Sequence, residues 1–253
     1  MTQRDHFDSL SGRTAFVTGA GTGIGRATAE YLVASGMNVV GLGLEGDGEA
    51  PDTIRFHPGD VTNPEDVASA IADAAATFGG LHAVVNAAGI YQTGKRVEDV
   101  TDEEWQRTLG VNLTGIFNVC RAALPEIRRT GGGSVVNIAS VHALATVPTV
   151  PAYAASKGGV LALSRQLALD YGQDRIRVNA LIVGSVDTRM TRPGEMPPGW
   201  PESVGLSFAP TAVPRIADPR EIATAIAFLL SDSASFVTGS GLVVDGGMTA
   251  LLF

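Results

Sequence analysis

Short apolar runs separated by longer, helically periodic stretches recur along the whole chain. Runs at 14–18, 38–42, 54–56, 83–86, 134–140, 177–182 and 241–245 are close to continuously apolar, the pattern of strands buried on both faces. Helical patterns lie between them: 26–34, 64–78, Thr101 to about Arg129, Tyr153 to about Tyr171, and 219–230. Thr101-Asp-Glu-Glu104 reads as a capping box opening the third helix, and Gly110 marks an irregularity inside it. The segment 44–53 is too short and too rich in glycine for a crossover helix, so a looped crossover is expected there. It leaves Glu45 and Asp47 near the end of the second strand. Strands alternating with helices predict one α/β domain, a doubly wound parallel sheet with helices on both faces.

The periodicity lapses once more, from Arg189 to Arg215, where six prolines (193, 197, 198, 201, 210 and 214) interrupt the pattern. An irregular stretch of that length in a compact domain is usually functional or mobile, and a lid over a site is expected.

Composition narrows the function classes. The chain has 253 residues, 45% hydrophobic and 17% charged, with no internal repeat, enough for one large core. Eighteen Lys and Arg against 26 Asp and Glu give a net charge of -8 and no basic stripe, so nucleic acid is not the expected partner. The polar residues 1–8 lack a signal-peptide core, and no apolar run approaches the roughly 18 residues of a membrane span. A soluble, cytoplasmic protein is expected. The single Cys120 sits among apolar neighbours and reads as a buried structural thiol.

Two stretches carry chemistry. Strand 14–18 runs into Gly19-Ala-Gly-Thr-Gly-Ile-Gly25 and then into a helix. In that context glycines allow a tight turn and close approach of a pyrophosphate to the helix amino end. The second stretch is Tyr153-Ala-Ala-Ser-Lys157. Residues four apart on a helix share a face. A free phenol titrates near ~10, and a neighbouring ammonium favours its ionised form, which makes it a usable proton donor and acceptor. Ser140, closing the strand 134–140, could hold a substrate oxygen beside it. Taken alone, the Tyr/Lys spacing is equally that of a solvated surface pair, and Asn112 that of a tolerated mid-helix asparagine.

Together these residues resemble the short-chain dehydrogenase/reductase family in its single-domain, Rossmann-like form, over nearly the whole chain from Gly12 to Gly247. Thr18 to Gly25 is similar to its cofactor motif, Asn86-Ala-Ala-Gly89 to its adenine-side motif, and Val244-Asp-Gly-Gly247 to its carboxyl-terminal signature. Asn112, Ser140, Tyr153 and Lys157 match its catalytic tetrad in order. The resemblance implies Tyr153 as acid/base, Ser140 as the group orienting the substrate oxygen, and Lys157 holding the nicotinamide ribose while lowering the Tyr153 pKa. Asn112 would support a water linked to Lys157. It likewise implies cofactor contacts from Gly19, Thr22, Gly23, Ile24, Gly25, Asp60, Val61, Asn86, Ala87, Gly89, Tyr153, Lys157, Val186 and Thr188. No metal is implied.

Two positions depart from the family pattern. Gly43 stands where NAD-specific members usually carry an acid, and Val183 where a proline usually precedes Gly184, so a less rigid loop is expected there. NAD is still the expected cofactor. A 2′-phosphate wants a basic residue, and this chain offers Thr22, Leu44 and Glu45. The reading that follows is a nicotinamide-dependent oxidoreductase of a small, largely uncharged secondary alcohol or ketone. The pocket is expected from Ile90, Tyr91, Val141, His142, Leu144, Val147, Trp200, Leu206 and Phe208, with Arg189 and Arg192 turned outward. Its rivals are an NADPH-dependent 3-oxoacyl reductase and a dinucleotide-binding sensor without catalysis. A homotetramer is implied by the resemblance, and the stripe Val160, Leu163, Leu167 suits helix packing, although it could equally face the sheet.

Overall fold

The computed structural model describes residues 8–44, 53–191, 212–213 and 215–250. They form a parallel sheet ordered β3-β2-β1-β4-β5-β6-β7. Its strands are β1 (Thr14–Thr18), β2 (Asn38–Gly43), β3 (Arg55–Pro58), β4 (Ala83–Asn86), β5 (Gly133–Ser140), β6 (Ile176–Val183) and β7 (Gly241–Val244). The helices are α1 (Gly23–Ala34), α2 (Pro64–Phe78), α3 (Asp102–Leu109), α4 (Gly115–Arg129), α5 (Pro151–Tyr171) and α6 (Pro219–Leu230).

Side-chain alternation sorts the core into two layers. Phe16 packs with α2, α4 and α5 on one face, whereas its neighbours Ala15 and Val17 pack with α1 and α6 on the other. Every residue of β1 is therefore buried, which is why the central strands read as unbroken apolar runs. The chain order reverses between β1 and β4, so a crevice opens at their carboxyl ends, where open α/β sheets bind ligands.

Three local features position the site. Thr101 caps α3: its hydroxyl accepts from Glu104 N at 3.2 Å, while Glu104 Oε2 accepts from Thr101 N at 2.9 Å. The irregularity at Gly110 is a π-helical turn, Gly110–Thr114, that joins α3 to α4 and turns Asn112 inward. β2 and β3 pair in parallel; the connection between them from 45 to 52, expected to be a loop and carrying Glu45 and Asp47, lies outside the described residues.

The strip of helix α5 expected at a subunit contact is occupied. Val160 is fully buried, and Leu163 and Leu167 pack against the same core. Helix period alone does not choose between sheet and partner, and here the sheet takes this face.

Val183, where proline was expected, closes β6. It pairs with Ser140 and Val244 in the ladder. The loop that follows is tied by Gly184 N to Val244 O at 3.1 Å, Asp187 N to Ala217 O at 2.9 Å and Ala217 N to Ser185 O at 3.0 Å. These bonds hold the loop expected to be less constrained.

Candidate active site

A cleft of about 700 Å³ runs along the carboxyl ends of β1, β2 and β4. Its floor is the glycine turn. Gly19 and Gly23 adopt left-handed backbone, φ 66° and 52°. A Cβ at Gly25 would lie 2.2 Å from Gly19 O, so α1 can begin this close to β1 only without a side chain there. Thr22 precedes α1 and its side chain makes no capping hydrogen bond. The helix amino end thus faces the cleft with backbone N–H groups, an arrangement suited to a pyrophosphate. Thr22, Gly23, Ile24 and Gly25 line the cleft from this side, and Thr188 faces Gly23 across it.

The outer end is lined by Leu44, Asp60, Val61 and Thr62, with Glu103, Gln106 and Arg107 added by α3. Asp60 is fixed by its neighbours: its N–H donates to Asp66 Oδ2 at 2.9 Å, and its Oδ1 accepts from Thr62 N at 2.8 Å. Val61 is held by Asn118 Nδ2, which donates to its carbonyl at 3.0 Å. At Gly43 a Cβ would meet Phe56 Cζ at 3.2 Å, so the aromatic ring occupies the place of an acidic side chain. Leu44 is 52% exposed and offers no charge.

The four tetrad residues converge at the inner end, beside Gly89 and Ile90. A Cβ at Gly89 would stand 3.4 Å from Asn112 Oδ1 and 3.7 Å from Lys157 Nζ. Asn112 is buried; its Oδ1 accepts from Ile90 N at 2.8 Å and its Nδ2 donates to Ile90 O at 3.0 Å. It also donates to Ser156 Oγ at 3.2 Å, and Ser156 in turn donates to Tyr153 O at 2.7 Å. Pro151 begins α5, which puts Tyr153 in its first turn and Lys157 one turn on, both buried. Lys157 Nζ lies 5.7 Å from the centre of the Tyr153 ring.

Burial dominates the electrostatics of the Tyr153/Lys157 pair. Burial pushes the Tyr153 phenol up from its ordinary value, and a hydrogen bond with the Ser140 side chain opposes the rise. The lysine does not reverse it. Burial drives Lys157 itself down to about 8, and its ammonium is directed to the Ile138 carbonyl at 2.9 Å. Desolvation is the largest cause at both groups: it disfavours the phenolate at Tyr153 and the ammonium at Lys157.

Asn86 and Val186 are not among the residues that line the cleft. The Asn86 amide donates to Asn137 Oδ1 at 2.8 Å, and Asn137 Nδ2 donates to Ser164 Oγ at 2.9 Å. This buried bridge links β4, β5 and α5, while Ala87, Ala88 and Gly89 line the cleft in its place. Val186 is buried and bridges to Ala217. Cys120 lies 3.7 Å from the Asn86 amide, its thiol pushed up to about 12 by burial, an inert core group.

Of the expected pocket residues, Ile90 lines the cleft. Tyr91 and His142 close around Tyr153: ring centres stand 4.6 Å apart for Tyr91–Tyr153 and 5.4 Å for His142–Tyr153, both edge to face. Val147 packs with Tyr91 and Tyr153, Val141 belongs to the core, and Leu144 is 56% exposed. Arg189 is exposed and lies along the cleft. Arg192, Trp200, Leu206 and Phe208, and with them most of the expected lid, lie outside the described residues. Two residues given no individual role in the sequence reading position the site. Thr18 Oγ1 accepts from both Ala87 N and Ala88 N at 3.1 Å, tying β1 to the β4 turn, and Ser156 supports Asn112.

Residues 19–249 match the family model described as enoyl-(acyl carrier protein) reductase. The chain is 41% identical to a 2,5-dichloro-2,5-cyclohexadiene-1,4-diol dehydrogenase of Sphingobium indicum, covering 96% of this chain and 99% of that one. It is 35% identical to a cyclohexanol dehydrogenase of an Acinetobacter species, over 96% and 97% of the two chains. The solved structure of ligand-free Thermoplasma acidophilum aldohexose dehydrogenase superposes with a TM-score of 0.88 at 36% identity, covering 98% of each. The chain belongs to the short-chain dehydrogenase/reductase family. It is an oxidoreductase of CH–OH groups that uses a nicotinamide cofactor, and the sensor and 3-oxoacyl rivals are not favoured. No helix among the described residues is long and apolar enough to cross a membrane.

Proposed function

We propose that the chain oxidises a small to medium, uncharged secondary alcohol, or reduces the matching ketone, with Tyr153 as the proton carrier and NAD as the cofactor. The observation that carries the reading is the convergence of Asn112, Ser140, Tyr153 and Lys157 on the inner end of a glycine-floored cleft. The cleft fits a dinucleotide: a Cβ at Gly25 would close the cradle, and the start of α1 has no side-chain cap at Thr22. The nicotinamide, when bound, supplies or accepts the hydride. Ser140 holds the substrate oxygen, and Tyr153 gives or takes its proton at Oη. Lys157 supports the phenol from one turn below, and Asn112 keeps the Ile90 backbone against it. Tyr91 and His142 wall the reacting carbon from water.

Several features support the finer assignments. Leu44 at the ribose end lacks the charge that a 2′-phosphate requires, and Glu103 stands one helical turn from Arg107 on the same wall. The aromatic walls suit an apolar ring, so the ring alcohols named for the two relatives are the first substrates to assay. Exposed Phe117 on α4, Leu169 on α5 and Val243 on the edge strand β7 support a homotetramer. A buried lone thiol at Cys120 is in keeping with a reducing, cytoplasmic setting.

The test is Tyr153→Phe, assayed against ring alcohols with NAD. Turnover is expected to fall at least a hundredfold while NADH still binds by fluorescence titration. A loss under tenfold removes Tyr153 from the proton path.

A further inference from the structure

We infer that His142 reads a second hydroxyl on the substrate, making this a dehydrogenase of diols rather than of simple alcohols. The inference rests on the dehydrogenase reading above and adds a specificity-determining residue to it.

His142 lies two residues past Ser140, and its backbone N–H donates to Ser140 Oγ at 3.3 Å. One turn of chain therefore fixes the serine that holds the reacting oxygen and the base of the histidine side chain. The imidazole stands over the same point from the side, 5.4 Å from the Tyr153 ring at 82° and 6.0 Å from the Tyr91 ring at 50°. Three rings thus bound the space in front of the phenol. Two of them bring phenolic groups, and the third brings a nitrogen heterocycle.

The polar edge of His142 is only half used. Nδ1 is hydrogen-bonded with Thr146 Oγ1 at 3.0 Å, the one hydrogen bond of the ring among the described residues. Nε2, on the other side of the ring, has no protein partner among those residues. His142 is only partly buried and Nε2 is not sealed inside the protein, so a polar ligand group placed beside the phenol can reach it and exchange a bond to water for one to the ring. Substrate is what enters this space.

The chemistry of the missing partner follows from the ring. Burial lowers the proton affinity of His142, and no carboxylate among the described residues contacts it, so the ring is neutral. A neutral imidazole makes a poor site for a carboxylate, which argues against hydroxy acids. Its tautomer depends on whether Thr146 donates to Nδ1 or accepts from it, leaving Nε2 a donor or an acceptor. A hydroxyl satisfies both, because it donates and accepts. A carbonyl satisfies only the first. The ligand group that fits without condition is therefore a second alcohol.

The experiment compares cyclohexanol with cyclohexane-1,2-, 1,3- and 1,4-diol, and butan-2-ol with butane-2,3-diol, in wild type, His142→Phe and His142→Gln. The phenylalanine keeps a ring and removes both nitrogens; the glutamine restores a hydrogen-bonding end. The readout is the ratio of kcat/KM for the best diol to that for its monohydroxy partner, taken within each variant so that a general loss cancels. Folding is checked by thermal melting and by NADH fluorescence. A hydrogen bond made out of water is worth about an order of magnitude. The expected wild-type ratio is tenfold or more, falling toward one in His142→Phe, mainly through a higher KM for the diol, and partly restored in His142→Gln. A wild-type ratio near one, or a ratio that survives His142→Phe, overturns the role of His142 and leaves the dehydrogenase reading standing. Absence of turnover for every member with both NAD and NADP overturns that reading and the inference with it.

Discussion

Lys157 Nζ, on α5, donates a 2.9 Å hydrogen bond to the carbonyl of Ile138, two residues before Ser140 on β5. That bond joins the two elements that carry the reacting groups, and it does so with a buried cation. Helix α5 is thereby held against the strand end where Ser140 meets the Tyr153 phenol. The cost is desolvation of the ammonium, which lowers the lysine to about 8 from 10.5.

A lysine whose folded value lies below its unfolded value destabilises the fold wherever it is charged. The penalty is fully present below pH 8 and is relieved as pH rises toward 10.5. Lys157→Met is therefore expected to abolish turnover yet to raise the stability of the ligand-free protein at pH 7, by roughly 2–4 kcal/mol before the lost hydrogen bond is subtracted. Urea melts of both proteins at pH 7, 8, 9 and 10 check it. The gap should narrow steadily above pH 8; a gap that is flat or widens would show that the ammonium is not the cause.

Glycine chemistry gives a second expectation. Gly25→Ala places a methyl 2.2 Å from Gly19 O, a backbone atom that cannot swing away. Loss of measurable NADH binding and a fall in stability of more than about 3 kcal/mol are expected, as for other overpacked sites. Gly172→Ala is the control: its φ is -61°, and a methyl there would meet nothing within 4 Å. That variant should change stability by less than about 1 kcal/mol. Equal melting temperatures for the two variants would contradict the steric account.

The strands, the glycine turn and the Tyr/Lys pair were legible in the sequence because each depends on local order: period, spacing, or a residue type that one backbone shape demands. What escaped was direction. Gly110 marks an irregularity, but nothing in the residues says that it is a π-helical turn that points Asn112 at Ile90. The stripe of Val160, Leu163 and Leu167 has helix period but faces the sheet. Asn86 sits in a motif of the cofactor side, yet its amide bridges to Asn137 across the strands. Spacing also places Lys157 near Tyr153 correctly but is silent on burial, and burial is what moves the phenol up. These are tertiary facts, decided by packing between segments distant in sequence.

The proposed preference for NAD can be tested at Leu44. It follows β2 directly, lines the cleft and is half exposed, so a longer side chain there needs no repacking. Leu44→Arg would bring a guanidinium to the ribose end, where it can bond a 2′-phosphate. Wild type is expected to favour NAD over NADP in kcat/KM by tenfold or more, and Leu44→Arg to shift that ratio at least tenfold toward NADP. Arg107→Ala should leave the wild-type ratio within about threefold, because Glu103 brings an opposite charge one helical turn away on the same wall. A wild type that prefers NADP and loses the preference in Arg107→Ala would reassign the ribose end to Arg107.

Assembly can be tested on the apolar side chains left outside the core. Phe117 is 47% exposed on α4, with Arg121 5.1 Å over its ring, and Leu169 is 80% exposed on α5. Phe236 is fully exposed after α6, and Val243 is 40% exposed on β7, an edge strand four residues long. A tetramer of dihedral symmetry needs an apolar surface for each kind of two-fold contact, and the pairs Phe117/Leu169 and Phe236/Val243 are proposed to supply them. Burying such a side chain stabilises by roughly 1.5–3 kcal/mol, and burying a carboxylate in its place without a partner costs more than that. Phe117→Glu with Leu169→Glu should therefore convert tetramers to dimers, and so should Phe236→Glu with Val243→Glu. All four together should give monomers. Sedimentation velocity at micromolar protein reads each state directly. Wild type sedimenting as a monomer overturns the assembly outright, and a tetramer indifferent to either pair moves the contact to another surface.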